Sequence, residues 1–179
     1  GSLTEVDSIF FYSNNPKDSI LVGMQASEGA LRNLLGKYSV IHIATHGYFS
    51  NSSSCASDIK PASTDDQLSN SCLFLAGAES CMNSSRFSPD NYDGILSARE
   101  LAEQDMSNVN LLVLSACQSG LGYICTDGVY GLQRGLKTAG VKAIIASLWR
   151  VDDQATMLLM IKMYEFLRLG KTLHEAFSN

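Results

Sequence analysis

The sequence feature that most constrains the fold is the stretch LLVLSACQSGLG at residues 111–122. Its first four residues are apolar and predict a buried strand. Small residues, Cys117 and two glycines follow directly, so the strand is expected to end at a turn that carries a thiol. Open α/β sheets hold their functional sites at the carboxyl ends of their strands. The Cys117 thiol is therefore a candidate functional group.

A second stretch, VIHIATHG at residues 40–47, has the same layout with a histidine. Its apolar strand is predicted to end at Thr45, just before His46 and Gly47. Two parallel strands that end side by side would bring His46 next to Cys117, and a thiol beside an imidazole is the minimal nucleophile–base pair of a cysteine hydrolase. The backbone N–H groups of Gly47 and Cys117 are then expected to bind the oxyanion of a tetrahedral intermediate.

These residues also have purely structural interpretations. Free cysteines are often buried structural residues, and a histidine after a strand often serves only as a surface group. His42 lies four residues before His46 on the same strand and is predicted to be a core residue. Zinc sites use closely spaced ligand pairs, which none of the five cysteines provides, so no metal is predicted. The Gly120–Gly122 turn lacks the Lys-Ser/Thr ending of a phosphate loop.

Two carboxylates follow another predicted strand end. Asp152 and Asp153 come shortly after Ser147-Leu148-Trp149, on the sheet edge expected to hold Cys117 and His46. Acidic residues are favoured at helix N-termini, so capping is one interpretation. The other is that one carboxylate pairs with a basic side chain of a substrate. Asp127 is a weaker candidate for that role, and Trp149 either packs or walls the cleft.

Bulk composition excludes some classes of function. The chain of 179 residues suits one domain, and its net charge of −5 without a basic cluster argues against nucleic acid or anionic membranes as direct partners. Five cysteines form an odd number without a CxxC pair, and neither a signal peptide nor a membrane span is evident. A reduced, cytoplasmic protein is expected. Gly1 and Ser2 resemble the remnant of a cleaved tag.

Alternating strands and helices predict an α/β fold with a mostly parallel sheet. Three helices are predicted in the first part of the chain: residues 3–12, a segment capped by Ser27 and ended by Gly36, and residues 97–103 with a Ser97–Glu100 capping box. Three more follow: residues 128–139, a long helix that reaches Leu169, and a last helix with a Thr172–Glu175 capping box. Further strands are predicted at residues 20–22 and 143–148. On the long helix, the predicted core-facing stripe is Met157, Leu158, Ile161, Tyr164 and Leu167.

Residues 50–91 differ in composition from the rest of the chain. Ser, Asn and Asp dominate, with the apolar island CLFLA at residues 72–76. We predict a long insertion crossed by one strand and overhanging the candidate site, since loops of this length are usually functional or disordered.

Five motifs together closely resemble the CHAT domain, a caspase-like peptidase domain often found beside tetratricopeptide repeats in bacteria. They are VIHIATHGYFS, DGILSARELA, LLVLSACQSGLG, GVYGLQRGLKTAGVKAIIASLWRVDDQAT and GKTLHEAF. The resemblance implies a three-layer caspase–haemoglobinase fold, with His46 as general base, Cys117 as nucleophile, and Gly47 and Cys117 as oxyanion donors. No cofactor is implied. Similarity to the more distant separases suggests Asp153 as the residue that binds a basic substrate side chain.

This sequence departs from the family pattern in two respects. The family's usual further strand, before the helix that corresponds to residues 3–12, is missing, which predicts a piece of a longer protein or a strand supplied from elsewhere. The 50–91 insertion matches no motif. The function expected is a cysteine endopeptidase that cuts a protein partner. The alternatives are a catalytically silent peptide-binding scaffold and a small-molecule esterase or amidase.

Overall fold

A computed structural model describes residues 2–13, 15–49, 68, 71–79, 92–115, 123–125, 128–147 and 151–178. The helices are α1 Ser2–Ser13, α2 Glu28–Leu34, α3 Ala98–Ala102, α4 Leu132–Thr138, α5 Asp153–Arg168 and α6 Leu173–Ser178, with a 3₁₀ turn at Gly23–Gln25. The strands are β1 Val40–Ala44, β2 His46–Phe49, β3 Ser71–Phe74, β4 Ile95–Ser97, β5 Leu111–Ser115, β6 Tyr123–Cys125, β7 Gly128–Tyr130 and β8 Ala143–Ala146.

The central element is a parallel sheet in the order β1-β5-β8. Side chains alternate across a strand, so β5 serves both faces. Leu112 and Leu114 join one core with α2, α3 and α4, whereas Leu111 and Val113 join a second core with α1, α5 and α6. The predicted mixed α/β fold, with a parallel sheet flanked by helices, is confirmed.

Beside this sheet lie two smaller antiparallel ones that the sequence did not predict. One has the order β2-β3-β4 and the other is a hairpin of β6 and β7. The strand predicted within the apolar island is β3, which pairs with β2 on one side and β4 on the other. Most of the remaining insertion lies outside the described residues. That it overhangs the candidate site therefore stays a prediction.

Most predicted helix ends are confirmed. The Ser27 side chain accepts from Ala30 N, the Ser97–Glu100 capping box is formed, and Asp152 caps α5 by accepting from Ala155 N. Gly36 follows α2 with φ of +79°, the left-handed conformation that glycine adopts without strain. These ends depend on neighbouring residues alone, which is why the sequence identifies them.

Three predicted elements need correction. No strand forms at residues 20–22: Val22 has an extended backbone, but no described strand pairs with this segment. The helix predicted from Gly128 begins only at Leu132, because residues 128–130 pair with β6 instead. The strand predicted to reach residue 148 ends at Ala146, and Leu148 lies outside the described residues.

The predicted stripe on the long helix is also partly wrong. Met160 and Met163 are the buried residues of α5, whereas Leu158 is 55% exposed. Tyr164 and Leu167 do pack against the core as predicted. Because α5 rests on both the sheet and α1, its buried face is rotated from the one that the leucine pattern indicated.

Candidate functional site

The strands that precede His46 and Cys117 are neighbours in the parallel sheet. Val40 pairs with Leu111 and Ala44 with Ser115, so β1 and β5 run level to their carboxyl ends. In the sequence, His46 follows Ala44 by two residues and Cys117 follows Ser115 by two. Residues 116–122 lie outside the described part of the chain, so the contact between thiol and imidazole stays a prediction.

His46 follows the end of the first strand, as the sequence predicted, but it also begins a second strand. β1 ends at Ala44, and after the single residue Thr45 the chain starts β2 with His46, whose register partner is Phe74 in β3. The His46 side chain is exposed, which suits a group that exchanges protons with a ligand. Gly47 is the second residue of this strand, opposite Leu73.

Thr45 connects the two sheets through its side chain. The Thr45 hydroxyl donates a hydrogen bond to the backbone carbonyl of Phe74. Phe74 is thus held both by Thr45 and by the strand pairing opposite His46. Sequence reasoning placed Thr45 at the end of a strand but did not identify this bond, because Phe74 is 29 residues away in the chain.

The candidate substrate-binding residues divide between described and undescribed parts of the chain. Asp152 is exposed, and its Oδ1 accepts from Ala155 N at 2.8 Å, so its capping role is confirmed. Asp153 is the exposed first residue of α5. β8 pairs in parallel with β5, so the carboxyl end of β8, which precedes α5 in the chain, lies at the same edge of the sheet as the carboxyl ends of β1 and β5. Asp127 and Trp149 lie outside the described residues.

A buried polar cluster, which the sequence did not reveal, surrounds His42. Its Nε2 lies 2.9 Å from Glu5 Oε1 in α1, and its Nδ1 lies 3.3 Å from the Tyr164 hydroxyl in α5. Burial, reinforced by the negative charge of Glu5, raises the pKa of Tyr164 far above its ordinary value. His42 is therefore a core residue, as predicted, and links both helices to β1. The signal for this cluster in the sequence is that Glu5 lies four residues before Ile9, which puts both on one face of α1, where both are buried.

A cavity of about 760 Å³ opens along β1. Its walls include β1 itself, α1, the extended segment 20–22 and Tyr164 of α5. In the described part of the chain β1 is an edge strand, and the cavity is lined both by β1 and by residues 20–22, which pair with no described strand. The cavity reaches Thr45 and Phe74, but His46 is not among its lining residues.

The thiol of Cys72 in β3 is a poor candidate for the nucleophile. Burial, together with the nearby carboxylates of Asp93 and Glu100, raises the pKa of the Cys72 thiol, so Cys72 is a poor nucleophile at neutral pH.

Among the described residues, no group of three or more histidine, cysteine or acidic side chains could hold a metal ion. In the same part of the chain, no helix is long and apolar enough to cross a membrane.

The described fold is an α/β arrangement with adjacent parallel strands that end level, and in the sequence His46 and Cys117 each follow one of these ends by two residues. The family model of the CHAT domain matches residues 1–179, so the chain belongs to the CHAT domain family, which is related to the caspase-like peptidases. The resemblance seen in the sequence is thereby confirmed. Neither the curated proteins nor the solved structures contain a significant match.

Proposed function

We propose that the protein is a cysteine endopeptidase with Cys117 as nucleophile and His46 as general base. The observation that supports this most is the level register of β1 and β5, with each candidate residue two positions beyond a paired residue. Membership of the CHAT family supplies the chemical context. In this proposal the sheet forms the middle of a three-layer caspase–haemoglobinase fold.

The proposed reaction is acyl transfer. His46 removes the thiol proton of Cys117, and the thiolate attacks the peptide carbonyl. The N–H groups of Gly47 and Cys117 stabilise the resulting oxyanion. The amine leaves with the proton from His46, and water, deprotonated by His46, then hydrolyses the thioester. No cofactor enters this reaction.

Labelling with a peptidyl acyloxymethyl ketone tests the proposal directly. We expect the probe to modify Cys117 in the wild-type protein, and Cys117→Ala and His46→Ala to abolish labelling. Cys72→Ala and His174→Ala are matched controls, because Cys72 is half-buried in β3 and His174 is exposed on α6. An intact protein whose Cys117 does not react would overturn the peptidase and favour the silent peptide-binding scaffold.

We further propose that Asp153 binds a basic substrate side chain, with Asp127 and Trp149 also lining the cleft. Asp152→Asn and Asp153→Asn each remove one negative charge. Asn caps helices as well as Asp does at position 152, and Asp153 is not the cap, so α5 stays intact in both. Fluorogenic peptides ending in Arg, Lys or Leu show whether a variant loses activity toward basic side chains alone. We expect Asp153→Asn to lower kcat/KM for Arg and Lys about tenfold and to leave Leu unchanged. Equal losses for all three peptides would contradict this specificity.

The partner proposed is a protein or peptide substrate, in the cytoplasm of a bacterium, with a tetratricopeptide-repeat or other regulatory region in the parent chain. Turnover by the 179-residue chain alone and by the full-length parent should therefore be compared.

A further inference from the structure

The junction between the two sheets consists of one residue. Ala44 is the last residue of β1 and is fixed opposite Ser115 by the parallel ladder. His46 is the first residue of β2 and is fixed opposite Phe74 by the antiparallel ladder. Thr45 alone covers the change of direction between them. Its conformation therefore sets where His46 stands relative to the carboxyl end of β5.

The Thr45 side chain is bonded to the residue that His46 pairs with. Its hydroxyl donates to the backbone carbonyl of Phe74, and the group is partly buried. The Phe74 ring also packs against Tyr48 of β2, with 6.4 Å between ring centroids. A β-branched side chain has few rotamers, so this donor is held in place with little loss of entropy. Thr45 and Phe74 together fix the backbone on which His46 is mounted.

We propose that Thr45 is a positioning residue for His46: its hydrogen bond to Phe74 keeps the imidazole at the distance from Cys117 that proton transfer requires. This inference rests on the proposed function. Proton transfer needs heavy atoms within about 3 Å, and a misplacement of about 1 Å is enough to slow a reaction strongly. Removing one hydroxyl at residue 45 should thus impair chemistry at residue 117 without touching either reacting group.

Four variants separate the hydroxyl from the shape of the side chain. Thr45→Val keeps the shape and removes the donor, and Thr45→Ser keeps the donor. If Thr45→Val disturbs folding, Thr45→Ala is compared with Thr45→Ser instead. Alanine and serine both lack the methyl group of threonine, and of the two only serine can donate the hydrogen bond. Thr138→Val is the matched control, because Thr138 Oγ1 donates to the backbone carbonyl of Arg134 on the exposed side of α4, 3.0 Å away.

The rate of Cys117 alkylation by iodoacetamide is followed across pH by mass spectrometry, with Cys72 as an internal reference. We expect Thr45→Val to slow the alkylation of Cys117 about tenfold near neutral pH and to shift the pH profile of this rate. The same difference is expected between Thr45→Ala and Thr45→Ser. Ser and the Thr138→Val control should stay within about twofold of wild type. The ring signals of His46 in NMR spectra should shift in Val and not in the control.

Two failures are distinguishable. If His46→Ala slows Cys117 but Thr45→Val matches wild type in rate, pH profile and His46 spectrum, the positioning role is overturned and the peptidase proposal stands. If His46→Ala itself leaves the Cys117 rate unchanged, the proposed dyad is overturned and the role of Thr45 with it.

Discussion

Glu5 and His42 form a buried hydrogen-bonded pair, with 2.9 Å between Oε1 and Nε2 and with each side chain at most 8% exposed. The pair joins the first helix to β1, the strand that leads to His46. Because both groups are removed from water, each needs the other as a hydrogen-bond partner.

We therefore expect Glu5→Ala to lower the free energy of unfolding by about 2 kcal/mol, since it leaves the buried imidazole with the Tyr164 hydroxyl as its one remaining partner among the described residues. Asp7→Ala, at an exposed position of the same helix, should cost about 0.5 kcal/mol or less. Urea titrations of the two variants make the comparison. Equal losses would mean that Glu5 contributes only to the helix itself.

A second carboxylate predicts a pH dependence of stability. Glu28 is 1% exposed, and burial raises its pKa above the ordinary value of 4.5, although Arg32 and the Gly94 N–H act in the opposite direction. The folded state then holds the proton more tightly than the unfolded state. The stability that this group contributes is fully present below pH 4.5 and is lost as the pH rises through the folded pKa.

Removing the titration should flatten this dependence. Glu28→Gln cannot ionise, so we expect its free energy of unfolding to fall less than that of the wild type as the pH rises from 4.5. Glu103→Gln, at an exposed position after α3, is the control and should keep the wild-type slope. Denaturant titrations at a series of pH values measure both slopes. A Glu28→Gln slope equal to the wild type's would refute the assignment.

Close packing of two helices depends on Gly135. A Cβ atom at this position would lie 2.2 Å from the backbone carbonyl oxygen of Ala98, where α4 meets α3. We expect Gly135→Ala to destabilise by about 2 kcal/mol despite its better helix propensity, because a backbone carbonyl cannot move aside. Gly29→Ala on α2 is the control: its Cβ would meet the Tyr92 ring at 3.0 Å, and a side chain can yield. Thermal unfolding should rank Gly135→Ala well below Gly29→Ala.

The corrected buried face of α5 is open to the same kind of test. Met163 is fully buried and Leu158 is 55% exposed, so Met163→Ala should cost about 3 kcal/mol and Leu158→Ala less than about 1 kcal/mol. Both substitutions shorten an apolar side chain on one helix. If Leu158→Ala proved the more destabilising in urea titrations, the sequence-derived stripe would be right and the packing described for α5 wrong.

The predictable part of the site was its arrangement along the chain. An apolar run that stops at a small-residue turn identifies a strand end, and two such runs identified β1 and β5. Their neighbourhood and parallel direction agreed with the expectation, because parallel strands linked through helices present their carboxyl ends at one edge. The second sheet was not predictable, since β2 pairs with a segment about 25 residues further along and no local signal specifies that partner.

The sequence by itself determined the caps of α2, α3, α5 and α6, the apolar strands of the parallel sheet and the CHAT motifs, because each depends on residues a few positions apart. The tertiary structure decided that His46 begins a new strand, that Thr45 is bonded to Phe74 and that Glu5 is buried against His42. These are contacts between distant segments. Their energies depend on which surfaces the packed core brings together, and a local pattern of residues does not contain that information.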